Sequence, residues 1–160
     1  MKPALYLETS VVSYLTARPS RNLVTAARQQ ITAEWWRSCR ADYDVFISPL
    51  VLDEAELGDA EAASARLSIL RGIEVTAPSP EADALAEALM RGVPLPEKAA
   101  ADAVHIAVAA TSGAVYLLTW NFKHIANPVL REQIALVCRR SGYEPPTLCT
   151  PEDLLEGTTP

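Results

Sequence analysis

The stretch Val115-Tyr116-Leu117-Leu118-Thr119 is an apolar run built from residues that favour strands. A strand that is apolar on both faces is typical of a parallel sheet covered by helices on each side. The segment before it, residues 97–112, is rich in alanine and is predicted to be a helix. A helix that leads into a buried strand indicates an α/β fold.

The same alternation of short apolar runs and longer helical segments continues in both directions along the chain. Strands are predicted at residues 4–7, 44–48, 73–76, 115–119 and 147–149. Helices are predicted at residues 22–40, 49–57, 59–71, 80–92, 97–112 and 127–142, and the pair Thr150 and Asp153 predicts the capping of one last helical turn. Strands joined by helices form a mostly parallel sheet with helices on both faces, so the predicted fold class is α/β.

Composition restricts the class of protein before any motif is considered. The chain has 160 residues, of which 49% are apolar, and this is typical of one globular domain and excludes a disordered chain. No apolar run reaches the ~20 residues of a membrane-spanning helix, and the start lacks the apolar core of a signal peptide. The three cysteines are odd in number and form no C-x-x-C pair, so we expect reduced thiols in a cytoplasmic protein without a zinc site.

Charge is distributed unevenly along the chain. The formal net charge of −6 argues against a protein that coats nucleic acid. Residues 9–33 nevertheless carry three arginines and no acid, whereas residues 42–61 carry seven acids and no base. This segregation is compatible either with a basic rim around an acidic centre or with ordinary solvated faces.

Polar residues are predicted to meet at one edge of the sheet. Glu8 follows the first strand, and Glu54 with its neighbour Asp53 lies early in the helix after the second strand. Asp102 lies in the first turns of the helix before the fourth strand, and Asn121 follows that strand. Ligands of open parallel sheets bind beyond the carboxyl ends of the strands, where these four segments converge. Each residue also has a purely structural explanation, since Glu8 ends a strand and Asn121 suits a turn. The helix dipole favours acids in a first turn, as at Glu54 and Asp102.

Asp102 is the hardest of these residues to explain structurally. Helical spacing puts it in line with Ile106, on the face that a helix turns inward. A buried carboxylate needs a partner or a metal ion, and clustered carboxylates repel one another unless a cation neutralises them. Oxygen ligands favour Mg²⁺ or Mn²⁺ over zinc, and such ions promote phosphodiester hydrolysis.

Four segments in this order resemble the motifs of the PIN domain family. In the first, the acid Glu8 ends a strand and is followed by Thr9; in the second, Glu54 comes six residues after a serine. In the third, Asp102 lies in an alanine-rich helix. In the fourth, a threonine, Thr119, precedes an amide by two positions. The resemblance runs from Leu5 to about Leu155 and is strongest to the VapC-type toxins of bacterial toxin–antitoxin pairs.

This resemblance implies a fold, an activity and partners. The fold would be a single PIN-like domain over residues 1–160, a three-layer α/β/α arrangement with a mostly parallel central sheet. The activity would be that of a ribonuclease that depends on Mg²⁺ or Mn²⁺. The partners would be an RNA substrate, a small antitoxin protein and a second copy of the chain in a homodimer.

The resemblance also implies roles for individual residues. Glu8 and Asp102 would bind the metal directly, and Glu54 would bind it through water or act as a general base, with Asp53 as a second-choice ligand. Thr119 and Asn121 would orient the attacking water and complete the catalytic set.

The substrate contacts implied by the resemblance come from two further groups. Thr9 and Ser10 would position a phosphate or a water molecule through their hydroxyls. Arg18, Arg21 and Lys123 would contact the RNA backbone, which gives little sequence specificity. The two histidines are predicted to be structural, His105 in packing and His124 in a turn, although His124 also lies where it could contact RNA.

Two departures from the family pattern bear on activity. The first acid of the family is normally aspartate, whereas this chain has Glu8, whose extra methylene moves the carboxylate by roughly 1.5 Å. The fourth position is the amide Asn121, which adds no charge. Because Mg²⁺ tolerates geometric error poorly, the alternative function is a catalytically weakened PIN fold that binds RNA or a protein. A phosphatase or receiver-like protein is disfavoured, since both need an aspartate at a strand end.

Overall fold

A computed structural model describes residues 1–157 as one layered α/β unit. The strands are β1 (Ala4–Leu7), β2 (Asp44–Ile47), β3 (Glu74–Val75), β4 (Tyr116–Leu118) and β5 (Thr147–Cys149). The helices are α1 (Thr9–Thr16), α2 (Leu23–Ser38), α3 (Pro49–Ala55), α4 (Ala60–Leu70), α5 (Pro80–Gly92), α6 (Ala100–Thr111), α7 (Arg131–Arg140) and α8 (Pro151–Glu156). Short 3₁₀ turns cover Arg40–Asp42 and Glu97–Ala99.

The sheet is parallel throughout and has the strand order β3-β2-β1-β4-β5. The central strand β1 pairs on one side with β2, where Leu5 lies opposite Val45, and on the other with β4, where Leu5 lies opposite Tyr116. Leu5 and Leu7 of β1 are fully buried. The predicted three-layer α/β/α fold is therefore confirmed, with a sheet that is entirely rather than mostly parallel.

The helices pack in two groups. Helix α1 contacts α2, α3 and α4, and α8 packs on α2, whereas α5 packs on both α6 and α7. No helix in the described part of the chain is long and apolar enough to cross a membrane. Cys39, Cys138 and Cys149 are free thiols and are buried.

Two helices differ from their predictions. Helix α1 was not predicted, because residues such as Val11 and Val12 favour strands and Glu8 is an unusual N-cap. The chain nevertheless turns into a helix directly after β1, and the Glu8 side chain accepts the Ser10 backbone N–H. Helix α7 begins at Arg131 rather than near Asn127, because the Asn127 side chain accepts the Val129 N–H and holds a turn there.

Trp35 and Trp36 occupy neighbouring positions on α2 but different environments. Trp35 is fully buried, whereas Trp36 is half-buried, with its ring 6.3 Å from that of Trp35. The guanidinium of Arg40 lies 5.0 Å from the Trp36 ring.

The capping signal predicted at the last helix is present and can be tested. The Thr150 hydroxyl accepts the Asp153 N–H, and the Asp153 carboxylate accepts the Thr150 N–H at 2.8 Å. We expect Thr150→Ala to lower the free energy of unfolding by about 1 kcal/mol, because a helix N–H loses its acceptor. Urea unfolding of Thr150→Ala beside Thr150→Ser, which keeps the hydroxyl, measures this; equal losses in both variants would contradict it.

Candidate active site

The parallel sheet brings four chain segments to one edge. Glu8 directly follows β1, and Glu54 lies on α3, which follows β2. Asp102 lies in the first turn of α6, and Asn121 follows β4. Because β1 lies between β2 and β4, the carboxyl ends of these strands are neighbours.

Glu8 is a buried carboxylate held by hydroxyl and amide donors. Its side chain lies at the start of α1 in a residue that is only 5% exposed. Its Oε2 accepts hydrogen bonds from the Thr119 hydroxyl at 2.7 Å, from the Ser10 N–H at 3.1 Å and from the Ser10 hydroxyl. Burial raises the pKa of Glu8 above its ordinary value, although these donors and the attraction of His105 oppose the change.

Glu54 is more accessible and is held by two side chains. Its Oε1 accepts the Thr9 hydroxyl at 2.6 Å and the Nε2–H of His105 at 2.6 Å. Burial alone would raise the pKa of Glu54, but the hydrogen bond and the attraction of His105, together with the Thr9 bond, outweigh it. The pKa of Glu54 is therefore lowered, and the carboxylate form is favoured.

His105 is the central member of a buried hydrogen-bonded chain. Its ring is fully buried, and its Nδ1 lies 2.6 Å from the Tyr6 hydroxyl, which lies 2.7 Å from the Ser48 hydroxyl. A carboxylate only accepts, so Nε2 carries the hydrogen shared with Glu54. The hydrogen bonds from Ser48 to Tyr6 and from Tyr6 to His105 thus fix the orientation of the His105 ring, and so the position from which its Nε2–H donates to Glu54.

The prediction for His105 missed this role. The residue is buried, as a packing residue would be, yet both ring nitrogens have polar partners on other elements. A sequence signal was available, because a histidine among buried alanines needs hydrogen-bonding partners. Those partners, Tyr6 and Glu54, are 99 and 51 residues away along the chain, so the sequence does not identify them.

Asp102 belongs to a second cluster, with Asn121 and His124. Its Oδ1 accepts the Asn121 side-chain N–H at 3.0 Å, and its Oδ2 accepts the His124 Nδ1–H at 2.7 Å. The Asn121 Oδ1 also accepts the backbone N–H of Lys123 and of His124. His124 is therefore in a turn, as predicted, and its ring is in addition the partner that the Asp102 carboxylate requires.

The two clusters are joined through the end of β4. The Thr119 hydroxyl donates to Glu8 and accepts the Asn121 N–H at 2.9 Å. The Ser10 hydroxyl accepts the Trp120 N–H at 2.8 Å. Glu8 is thus connected to Asn121, and through Asn121 to Asp102, by hydrogen bonds alone.

The first cluster has ligand atoms arranged as a cation would need them. Glu8, Glu54 and His105 each offer one ligand atom, and these atoms lie within 4.8 Å of one another. The described hydrogen bonds to each glutamate end on a single oxygen, Oε2 of Glu8 and Oε1 of Glu54, so the other oxygen faces no described donor. Both nitrogens of His105 are engaged, so the carboxylate oxygens are the better ligands. Such oxygens suit Mg²⁺ or Mn²⁺.

The grouping of carboxylates differs from the predicted metal set. Within residues 1–157, Asp102 does not form a close group of three with Glu8 and Glu54, and both of its oxygens hold hydrogen bonds. Asp53 is exposed on α3 and lies outside the hydrogen-bonded network. The structure therefore brings Glu8 and Glu54 together and places Asp102 beside Asn121.

The predicted substrate-contacting side chains form two groups, one inside the site and one on the surface. Thr9 and Ser10 are inside the site, bonded to Glu54 and Glu8. Lys123 is exposed next to the Asn121 turn, and Arg21 is exposed just before α2. Arg18 is exposed and lies 3.5 Å from Glu61 of α4.

The raised pKa of Glu8 has a consequence for stability. Since the folded pKa lies above the ordinary 4.5, the folded state binds more protons between those two values, and stability falls as the pH rises through that window. We expect Glu8→Gln, without divalent ions, to unfold at higher urea than the parent at about pH 7, and the gap to close at about pH 4. The exposed Glu56→Gln serves as the control. A gap that does not depend on pH would contradict the expectation.

The hydrogen bond from His105 to Glu54 is testable by titration. We expect His105→Leu to raise the pKa of Glu54 above its ordinary range. Burial raises this pKa, and the hydrogen bond and attraction of His105 that lower it would be absent. Carbon-detected NMR of the Glu54 carboxyl group measures the change. Tyr6→Phe removes the hydroxyl that bonds to the other nitrogen of His105 but leaves the His105–Glu54 bond, so it should shift this pKa less. An unchanged pKa in His105→Leu would show that the bond is not formed in solution.

Comparisons with known proteins show the family and the fold of this chain. Residues 5–126 match the PIN domain family. No curated protein sequence matches the chain. The VapC20 structure of Mycobacterium tuberculosis, a sarcin–ricin loop cleaving toxin, is similar with a TM-score of 0.60 and 20% identity, over 76% of this chain and 92% of that one.

A second solved structure covers more of the chain. VapBC2 from Rickettsia felis, bound to a DNA fragment from its promoter, is similar with a TM-score of 0.51 and 16% identity, over 92% of this chain and 98% of that one. At these identities the two structures show the fold. The family match covers most of the chain, including Glu8, Glu54, Asp102 and Asn121, and the chain therefore belongs to the PIN domain family.

Proposed function

We propose that the chain is a divalent-metal-dependent endoribonuclease and the toxin of a type II toxin–antitoxin pair. The observation that carries the proposal is the pairing of Glu8 and Glu54 at the carboxyl edge of the parallel sheet, each with one oxygen left for a cation. Membership of the PIN family and the similarity to a toxin that cleaves the sarcin–ricin loop support it.

Glu8 and Glu54 would hold the metal ion, Mg²⁺ or Mn²⁺, and Asp102 would contribute through water. Bound to oxygen ligands, such an ion lowers the pKa of a water molecule and neutralises charge on a phosphodiester. A cation would also offset the desolvation of the buried Glu8 carboxylate, for which His105 is the attracting group found among the described residues.

The other residues of the site would orient the three carboxylates. His105 and Thr9 keep Glu54 ionised by bonding to one of its oxygens. The other oxygen would then either bind the cation or accept a proton from water as a general base. Ser10 and Thr119 orient Glu8, and Asn121 with His124 orients Asp102. Asn121 donates one side-chain N–H to Asp102 and accepts two backbone N–H groups of the following turn, so an uncharged group would act here by positioning Asp102.

One observation favours the second candidate function, a catalytically weakened PIN fold that binds RNA or a protein. Glu8 is nearly inaccessible, and its burial favours the protonated form, which binds a cation poorly. The two candidates differ in metal affinity, because a weakened site would bind Mn²⁺ only weakly whether or not RNA binds.

The partners follow from the first candidate. A small antitoxin that covers the site would keep a cytoplasmic ribonuclease inactive, and VapBC2 is a solved structure with a similar fold. The chain would assemble as a homodimer. The apolar side chains of Leu23 and Leu57 are exposed at 87% and 68%, so surface for such contacts is present.

Cleavage of a mixed RNA pool with Mg²⁺, with Mn²⁺ and with chelator tests the proposal. We expect metal-dependent cleavage by the parent chain and a loss of about 100-fold or more in Glu54→Gln, the size typical of a lost general base. Asp102→Asn should also lose activity. Glu56→Gln, an exposed acid next to α3, is the matched control and should cleave normally.

The outcomes separate the candidates. Cleavage that survives the chelator, or that Glu56→Gln reduces as much as Glu54→Gln does, contradicts the proposal. An inactive parent chain with activity restored in Glu8→Asp supports the weakened fold, since the shorter side chain returns the carboxylate to the position usual in the family. A titration with Mn²⁺, monitored by its electron paramagnetic resonance, then compares the metal affinity of the parent chain with that of Glu8→Asp.

A further inference from the structure

An aromatic and cationic patch lies directly beside the site and takes no part in the metal cluster. Phe122 is 43% exposed, although it is a large apolar side chain. The Arg28 guanidinium lies 4.7 Å from the centre of the Phe122 ring and 5.6 Å from that of Trp120. The two rings are 6.0 Å apart with their planes at 57°. We call Phe122, Trp120 and Arg28 the aromatic patch.

The buried side of the patch is anchored to the fold. Trp120 is only 5% exposed, and its Nε1–H donates to the Thr32 hydroxyl at 2.8 Å. Thr32 lies on α2, one helical turn after Arg28, and its hydroxyl donates to the Arg28 carbonyl. Tyr14 of α1 packs on the Trp120 ring at 5.8 Å. The patch is therefore a preformed surface.

The patch is continuous with the acidic site through the backbone of residues 119–122. The Trp120 N–H donates to the Ser10 hydroxyl, which in turn donates to Glu8. Asn121, between the two aromatic residues, holds Asp102. An RNA strand whose phosphate is held by a cation on Glu8 and Glu54 would therefore carry a neighbouring nucleotide toward Phe122.

The chemistry of the patch suits an unpaired nucleobase. Guanidinium and aromatic planes are the surfaces on which bases of single-stranded RNA stack, and the stacking is tolerant of sequence. Arg28 covers part of the Phe122 ring and supplies the positive charge that a neighbouring phosphate needs, whereas the exposed part of the ring is available to a base. Lys123, the next residue, is also exposed and adds a second cation.

From this geometry we propose that Phe122 and Arg28 form a nucleobase subsite that stacks one unpaired base of the RNA next to the scissile phosphate. This inference rests on the proposed ribonuclease function and adds the position at which single-stranded substrate is held. Phe122 contributes the stacking surface, Arg28 the charge, and Trp120 keeps both in place.

Binding of a short single-stranded oligoribonucleotide to Phe122→Leu tests the subsite. The measurement uses fluorescence anisotropy with Mg²⁺ in a Glu54→Gln background, and a gel verifies that the RNA stays intact. Leucine keeps an apolar side chain but lacks the aromatic face, so we expect binding about tenfold weaker. Phe122→Trp should bind as tightly as the parent, and Arg28→Gln should bind more weakly. Val129→Ala, which shortens another exposed apolar side chain, is the matched control.

An abasic scan identifies the base and separates stacking from a general loss of affinity. One abasic position should weaken binding to the Glu54→Gln chain about tenfold, yet have little further effect when Phe122→Leu is added to that chain, because both changes remove the same contact. Additive losses at every position, or normal binding by Phe122→Leu, overturn the subsite.

Cleavage and binding measured together distinguish failure of the subsite from failure of the proposed ribonuclease function. If the parent chain cleaves RNA and Phe122→Leu binds it normally, only the subsite is wrong. If the parent chain neither cleaves nor binds any RNA, the proposed function and the subsite fail together. Because Phe122 is exposed, its variants are expected to fold, and an unchanged urea midpoint verifies this.

Discussion

The position of β1 between β2 and β4 is the constraint on which the whole site depends. Since the three strands are parallel, the chain leaves the sheet at the same edge three times. Each exit places a polar side chain there: Glu8 after β1, Glu54 in the helix after β2 and Asn121 after β4. An antiparallel neighbour would send one of these exits to the opposite edge.

The acids that meet at this edge are stabilised in different ways. Glu54 has its charge supported by His105, and Asp102 has a similar partner in His124. Within residues 1–157, the hydrogen-bond donors to Glu8 are all neutral, and burial raises its pKa. The site therefore contains one carboxylate whose anionic form is disfavoured by burial and would be favoured by further positive charge, which is the electrostatic condition for a cation site.

The sequence predicted the edge correctly but not the pairing within it. Parallel topology was sufficient to expect Glu8, Glu54, Asp102 and Asn121 near one another. It did not show that His105 would bond to Glu54, or that His124 would hold Asp102, because side-chain partners across helices depend on the rotation of each helix about its axis. Helix α1 was missed for a related reason, since its β-branched residues favour strands and packing against α2, α3 and α4 overrides that preference.

By itself the sequence determined the α/β class, most of the elements and the family, because apolar periodicity, capping residues and motif spacing are local properties of the chain. Only the tertiary structure decided which oxygens of Glu8 and Glu54 remain open, that Asp102 pairs with Asn121 and His124, and that Phe122 stays exposed beneath Arg28. These features depend on contacts between residues as far as 111 positions apart. Local preferences do not encode such contacts, which are settled when the sheet and its two helical layers pack together.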